Sequence, residues 1–526
     1  MNENKIAVLL NRIFQIVFFI SFGIIFAAIL IAGYDTDFKK RIIVLVSLVL
    51  LTCAFAGLYY FTNIKTNAKS NLRIKEKSEI SNRNTKIIIF VSIGILFVIQ
   101  LIIGYFLRIN PVADMNYINR YAFDFAYNGN FDLIEKDYLN NSVYLYRYPN
   151  NFAVVFLLSF VCRIAYLIFG YIPRMVLVTL NVVAINFSIL MTVFLAKRLF
   201  GNKKSLFVLL LCVLFVPYYT YTPYYYTDTI SMPLVVLSVY LFVCALQSDK
   251  KYKKYVLMAL SGAAMFVGYK LKGSIIIIAA VAIIYIVLKF NFKKAICFVL
   301  ALVIGIGVPA AAYTSGLKSL NIVSEQQADE CEYPLTHWIM MGLKGHGSYD
   351  LNDSLYTQSF HSKKEKQEAN IAEIKKRISD YGVTGMAAHC LEKAVWTWED
   401  GTYLTSHYIG KPVNKNVLHS IVLEDGKYYW LFDIYGCGFQ LFLMLMILIS
   451  LAKGIKKPKI DNTVFLKGIV FAAMLFFLIW EARVKYLFNF TPIFIILSVE
   501  GLETLTNAIK KFSDKKHNVD KLSKQN

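Results

Sequence analysis

IIIFVSIGILFVIQLIIGYFLRINPVADMNY, residues 87–117, decides the fold. From Ile87 to Leu107 it carries no charge. A helix rising about 1.5 Å per residue carries a run of that length across roughly 30 Å of hydrocarbon. The run is apolar on every face and lacks the alternation of a barrel strand. Only a helix can satisfy its backbone polar groups in lipid. Arg108 closes the run, and a polar stretch with Pro111 and Asp114 follows at once, where the chain leaves the membrane.

Similar runs recur along the chain, beginning with Ile13 to Gly33. Hydrophobic residues make up 57% of the 526 residues and charged residues 17%, against about 25% charged in a soluble domain. The first run is long, lacks a small-residue cleavage site and is followed by another, so an uncleaved helix is expected. The net charge is +22. The basic residues sit in short loops between apolar runs, which reads as orientation and argues against nucleic-acid binding.

Basic loops mark the inner side: residues 63–86, Lys197 to Lys204, Lys250 to Lys254, Lys289 to Lys294, Lys453 to Lys459, and the tail after Lys510. Spans near 13–33, 41–62 and 87–107 then place residue 108 outside. If residues 152–170 also crossed, every later basic loop would invert. That stretch is therefore expected to lie on the outer interface, the alternative being a true crossing that breaks the charge rule. The remaining spans fall near 175–196, 204–222, 229–247, 255–269, 274–289, 295–314, 434–453, 464–480 and 489–507. The fold class is thus an all-α polytopic membrane protein of about twelve spans, with large outer loops at 108–174 and 315–433. The divisions are an N-terminal hairpin with its basic loop (1–86), a transmembrane core (87–314), the long outer segment (315–433), the last spans (434–507) and a basic tail (508–526).

Within the long segment, Lys363 to Tyr381 reads as a surface helix. Ala387 to Trp398 reads as a second one lying against the membrane. Cys331 and Cys390 share this segment and either pair in an oxidising space or remain thiols. The other six cysteines lie in apolar runs as packing residues.

The polar residues that could carry chemistry gather in the outer loops. Asp114 stands just beyond a span, where partial desolvation would suit a general base on an acceptor hydroxyl; the plain alternative is a helix N-cap. Tyr148-Pro149-Asn150-Asn151 offers an aromatic face and amides for a sugar, or an interface anchor. Asp228 either caps the next helix or supplies a second carboxylate. Lys270 and Lys272, then Arg483 beside Tyr486, place cations outside, against the charge rule, which suits a phosphate at headgroup level or a snorkelling side chain. His337 and Trp338 read as binding residues or as structural ones. No Walker motif, dinucleotide fingerprint, serine elbow or zinc motif is present, which argues against an ATP-driven pump and against hydrolases of those families.

This order of features resembles the GT-C glycosyltransferases, multispan enzymes that take a sugar from a polyprenyl-phosphate carrier on the outer face. Protein O-mannosyltransferases and lipid A aminoarabinose transferases are among them. The resemblance covers roughly residues 87–505. It implies that Asp114 is the base or acceptor-positioning group and Asp228 the second outer carboxylate. Lys270, Lys272, Arg483 and Tyr486 would then hold the donor phosphate. Tyr117, Tyr148, Asn150, Asn151, His337 and Trp338 would line the sugar and acceptor site. The stretch Glu481 to Pro492 and the segment from Thr336 to Tyr349 resemble those of Gram-positive bacterial members. No second acid stands beside Asp114, so no cofactor is certain and a divalent metal stays open. No large soluble domain follows the last span, which argues against the oligosaccharyltransferase branch.

The expected function is transfer of a sugar from a polyprenyl-phosphate donor to a cell-wall glycopolymer, lipid-linked glycan or protein, with inversion, at the outer face of a bacterial cytoplasmic membrane. The rival readings are a polysaccharide polymerase or ligase of another multispan fold, and a lipid-linked glycan flippase.

Overall fold

The computed structural model describes residues 5–34, 37–65, 82–140 and 143–523. Among them the chain is helical throughout, and the one β pairing is an isolated bridge between Ile109 and Pro412. Most of the basic loop at 63–86, which sets the expected orientation, lies outside the described residues, as does the end of the tail.

Among the described residues ten helices are long and apolar enough to cross a membrane: Lys5–Ala32, Phe38–Thr62, Asn82–Phe106, Pro149–Phe169, Met175–Phe200, Thr227–Leu246, Phe292–Leu320, Tyr429–Lys456, Asn462–Ile479 and Val484–Lys515. This set differs from the twelve expected spans in two ways. The spans expected near 204–222, 255–269 and 274–289 form shorter or more polar helices. Asn202–Leu214 stops ahead of Pro217, which restricts the residue before it and cannot donate a backbone bond. Lys251–Leu271 opens on three lysines, and Gly273–Lys289 is a short apolar helix. Conversely, Pro149–Phe169, expected to lie on the interface, has the length and composition of a span. Its partner in the fold is a polar helix. Phe152–Phe169 runs beside Ala113–Asn128, with Arg163 donating to the carbonyls of Ala126 (2.7 Å) and Tyr127 (3.3 Å). That neighbour carries Asn116, Arg120, Asp124 and Asn128, residues costly to draw into hydrocarbon.

Burial follows the helical period. On Lys5–Ala32 the inward residues are Asn11, Gln15, Phe18, Phe22, Ile25 and Ile29. Leu9, Ile13, Val17, Ile20 and Ile24 face outward. A soluble protein could not expose such a stripe; lipid accommodates it. The centre of the bundle is Tyr429–Lys456, packed against Lys5–Ala32, Phe38–Tyr59 and Thr491–Ser523. At the end of the bundle away from the site, Lys467 pairs with Glu500 (3.2 Å) and Lys204 with Glu503 (2.6 Å).

At the opposite end the loops are themselves folded. In the long segment, the two expected surface helices are one element, Lys363–Trp398, bent at Gly382, whose φ of +59° suits glycine. Arg377 fastens this helix to Asp353 through two bonds of 2.7 and 2.8 Å. Cys331 and Cys390 are free thiols.

Candidate functional site

The site begins with the tyrosine-rich segment Tyr218 to Tyr226. Pro217 and Pro223 keep it from continuing as a helix, so its carbonyls need other partners. Asn181 supplies them: its amide reaches the carbonyls of Tyr221 (2.9 Å), Thr222 (3.0 Å) and Tyr224 (3.3 Å). Gln100 donates to Tyr218. The whole segment is nearly closed to solvent, which fixes the direction of its phenol groups.

Tyr226 aims at Asp114. Its hydroxyl donates to Oδ2 at 3.2 Å, and the Tyr144 hydroxyl donates to Oδ1 at 3.0 Å. Asn151 donates to the Tyr144 oxygen at 2.8 Å. Burial first, and the charge of Asp114 next, hold both phenols well above their usual range, so they stay donors. The N-cap alternative for Asp114 does not hold. Val112 occupies the cap position with no side-chain bond, and the carboxylate turns toward the tyrosines. Ala113, just before it, has φ +46°, a conformation that costs a non-glycine residue free energy. Tyr117 stacks on Tyr144 at 4.4 Å, and Tyr148 lies between Tyr144, Tyr333 and Trp338.

Asp228 is fully buried and paired with Lys272, so it too is no cap; Tyr226 holds that position. Its second oxygen has no hydrogen-bond partner among the described residues. The Lys272 ammonium also lies 4.3 Å from the ring centre of Tyr486. Beyond Tyr486 is Lys485, which is 5% exposed. Its ammonium is enclosed by the rings of Tyr408 (4.3 Å), Tyr226 (5.2 Å), Tyr486 (5.6 Å) and Tyr224 (5.8 Å). Among the described residues no carboxylate oxygen lies within 4.0 Å of it. Arg483 reaches the Tyr408 hydroxyl at 3.4 Å. Glu481 accepts from the Tyr486 hydroxyl at 3.0 Å, and burial raises its pKa against the pull of Arg483.

The long loop forms one wall of this cluster. Glu481 and Ala482 donate their N–H groups to the carbonyls of Trp338 (3.1 Å) and Gly347 (2.8 Å). Lys393, fully buried, donates to the carbonyls of Gly342 (2.7 Å), Trp480 (2.7 Å) and Leu478 (3.1 Å). One ammonium thus joins the loop, the end of Asn462–Ile479 and the helix it sits on.

The structure brings together Asp114, Tyr117, Tyr148, Asn150, Asn151, Asp228, Lys272, Arg483, Tyr486 and Trp338. Two expected residues stand apart. Lys270 points away, its ammonium over Phe266, Tyr269 and Tyr313. His337 is buried behind the wall, Nδ1 2.7 Å from the Thr357 hydroxyl, and burial pulls its pKa down to about 4. A neutral histidine facing inward is a packing residue here. Lys485, Tyr226, Tyr144 and Tyr408 were not singled out from sequence. Of these, Lys485 left a trace, a second cation two residues after Arg483.

Fold and site together define an all-α, multispan integral membrane protein whose ionisable side chains converge on one end of the bundle. The chain belongs to the family described as conserved hypothetical integral membrane protein, which it matches over residues 3–504. No curated protein matches it in sequence. Among solved structures it is similar to ArnT from Cupriavidus metallidurans bound to undecaprenyl phosphate, at 11% identity over 80% of this chain and 77% of that one. The TM-score is 0.34.

Proposed function

We propose that the protein is a glycosyltransferase of the GT-C type that takes its sugar from a polyprenyl-phosphate carrier at the outer membrane face. The observation that carries this reading is the buried, carboxylate-free ammonium of Lys485, joined to Asp114 through Tyr226. A cation kept from water without an ion-pair partner is costly, and an anionic ligand offsets the cost. Lys485 and Arg483 would hold the donor phosphate, with Tyr486 between Lys485 and Lys272. Asp114, oriented by two hydroxyl donors, would take the proton of an acceptor hydroxyl. The acceptor oxygen attacks the anomeric carbon, the bond from that carbon to the phosphate oxygen breaks, and its electron pair leaves on the phosphate. The anomeric centre inverts. Cations at the phosphate stabilise the charge that develops there. The Lys272–Asp228 pair shapes the floor of the site, and Tyr117, Tyr148, Asn150, Asn151 and Trp338 are available to the acceptor.

The test is transfer of radiolabelled sugar from polyprenyl-phosphate donors in membranes, wild type beside Asp114→Asn. General-base catalysis contributes about 10²–10⁴-fold, so the variant should lose that much while expressing normally. Undiminished transfer by Asp114→Asn together with an indispensable Arg483 would move the reading to a polymerase or ligase of another kind.

A further inference from the structure

A second cluster of ligand-type side chains lies outside this site, where the N-terminal hairpin meets the rest of the chain. Asp433 and Cys437 are four residues apart on Tyr429–Lys456, so they share one face of that helix. Asp400 is brought to them by a close backbone approach: Gly401 and Gly436 touch so tightly that a Cβ on Gly401 would strike the Gly436 carbonyl. The Asp400 and Asp433 carboxylates and the Cys437 sulfur all lie within 4.8 Å of one another. Lys40 Nζ is 2.8 Å from Asp433, while Asp400 has no ion pair among the described residues and accepts from the Thr402 N–H and hydroxyl (both 2.7 Å) and the Leu404 N–H (2.8 Å).

An independent feature points into the cluster. Tyr34 is 6% exposed, and its hydroxyl has no hydrogen-bond partner among the described residues. It is held there by a backbone bond from its N–H to Glu399 (2.7 Å) and by Lys40, whose ammonium is 5.3 Å from its ring centre. Lys40 thus stands between the Tyr34 ring and Asp433, and Glu399 is the chain neighbour of Asp400, so Tyr34 lies against the cluster. Tyr34 also has φ +60°, a strained conformation for a non-glycine residue.

We infer that Asp400, Asp433 and Cys437 form a site for one divalent cation of zinc-like softness, with the Tyr34 hydroxyl facing the fourth position. Two carboxylates and a thiolate suit such an ion. Zinc–ligand bonds of about 2.0–2.3 Å set tetrahedral ligand atoms roughly 3.3–3.8 Å apart. A contraction of about an ångström from the present spacing meets that geometry. Binding releases the thiol proton to solvent and displaces the Lys40 ammonium from Asp433. Tyr403 and Leu404, both at φ +58°, stand three and four residues after Asp400 and lead into Thr405–Ile409, which carries Tyr408. A bound ion would therefore brace the residue that contacts both Lys485 and Arg483. The inference does not depend on the glycosyltransferase reading.

The experiment uses the full chain, purified in detergent without a polyhistidine tag. Elemental analysis after incubation with zinc and washing should give about one zinc per chain, and none in Cys437→Ala or Asp433→Asn. Cobalt in place of zinc should give a thiolate-to-cobalt absorption band that Cys437→Ala abolishes. Lys40→Met, which removes the competing ammonium, should bind the metal more tightly and guards against variants that merely misfold. A metal-free wild type with no cobalt band overturns the proposal and leaves an ion-paired structural anchor. A band that survives in Cys437→Ala overturns it as well.

Discussion

Replacing Lys485 by methionine separates the cost of the site from its use. The side chain is 5% exposed and has no carboxylate within 4.0 Å among the described residues. Removing an ammonium from water costs several kcal/mol. Four tyrosine rings at 4.3–5.8 Å return about 0.5–1 kcal/mol each, more where water is excluded. The two sides are of similar size, so the cation gives the fold little. Methionine has comparable length and makes sulfur–aromatic contacts of about 0.3–1.5 kcal/mol. The variant should therefore be as stable as wild type, or more stable by about 1–3 kcal/mol. Phosphate binding should move the other way. One charge-assisted hydrogen bond of about 1.5–3 kcal/mol corresponds to a loss of roughly 10–150-fold in affinity. The assay pairs thermal unfolding in detergent with titration of a fluorescent polyprenyl phosphate into the same samples, with Lys485→Arg as the charge-keeping control. A clear drop in Tm with unchanged lipid affinity would refute the reasoning, because Lys485 would then be a structural cation.

Lys272→Met should behave oppositely, losing about 3–5 kcal/mol of stability because Asp228 is left buried without its counter-ion; the double variant Lys272→Met with Asp228→Asn should recover much of that loss, as read by thermal unfolding. His337 is neutral when folded, with its pKa pulled down to about 4, whereas the unfolded chain protonates near 6.5. The unfolded state thus binds the extra proton between those values, so stability is complete above about pH 6.5 and falls by roughly 3 kcal/mol as pH drops through about 4. His337→Gln should flatten that part of the pH profile, and an unchanged slope would assign it to other groups. Lys393→Met, which removes the ammonium shared by the carbonyls of Gly342, Trp480 and Leu478, should loosen the loop wall and speed proteolysis of the 315–433 segment, while Lys270→Met should leave both stability and lipid affinity unaltered.

The spans were legible because lipid imposes a length and a composition that few other structures share. The exceptions are instructive. Asn202–Leu214 and Lys251–Leu271 are buried against neighbours on several sides, so their sequences need not be uniformly apolar. Phe152–Phe169 is apolar enough to span, and its pairing with the polar helix Ala113–Asn128 is not written in its own sequence. Asp114 was legible from its place just past a span. Lys485 was not, because nothing local separates it from Arg483. Its meaning comes from Tyr224 and Tyr226 and from Tyr408, which reach it from two distant parts of the chain and close on it beside its neighbour Tyr486. The same holds for Asp228, whose partner Lys272 is 44 residues away. Lys393 reads as a surface lysine on a charged helix, and only the tertiary carbonyls around it show that it is buried. Conversely, His337 looked chemically promising because imidazole is a versatile group, but burial leaves it neutral.

Asn181 has a consequence for how the protein is made. Its carbonyl partners lie 40, 41 and 43 residues further along, so its own helix emerges before they do. The nascent chain must shelter a polar amide until the tyrosine segment emerges and closes on it. The site acquires Arg483 and Lys485 only with the final span. A ribosome that stops short of that span would leave a membrane-embedded intermediate with its carboxylates in place and its last cations missing.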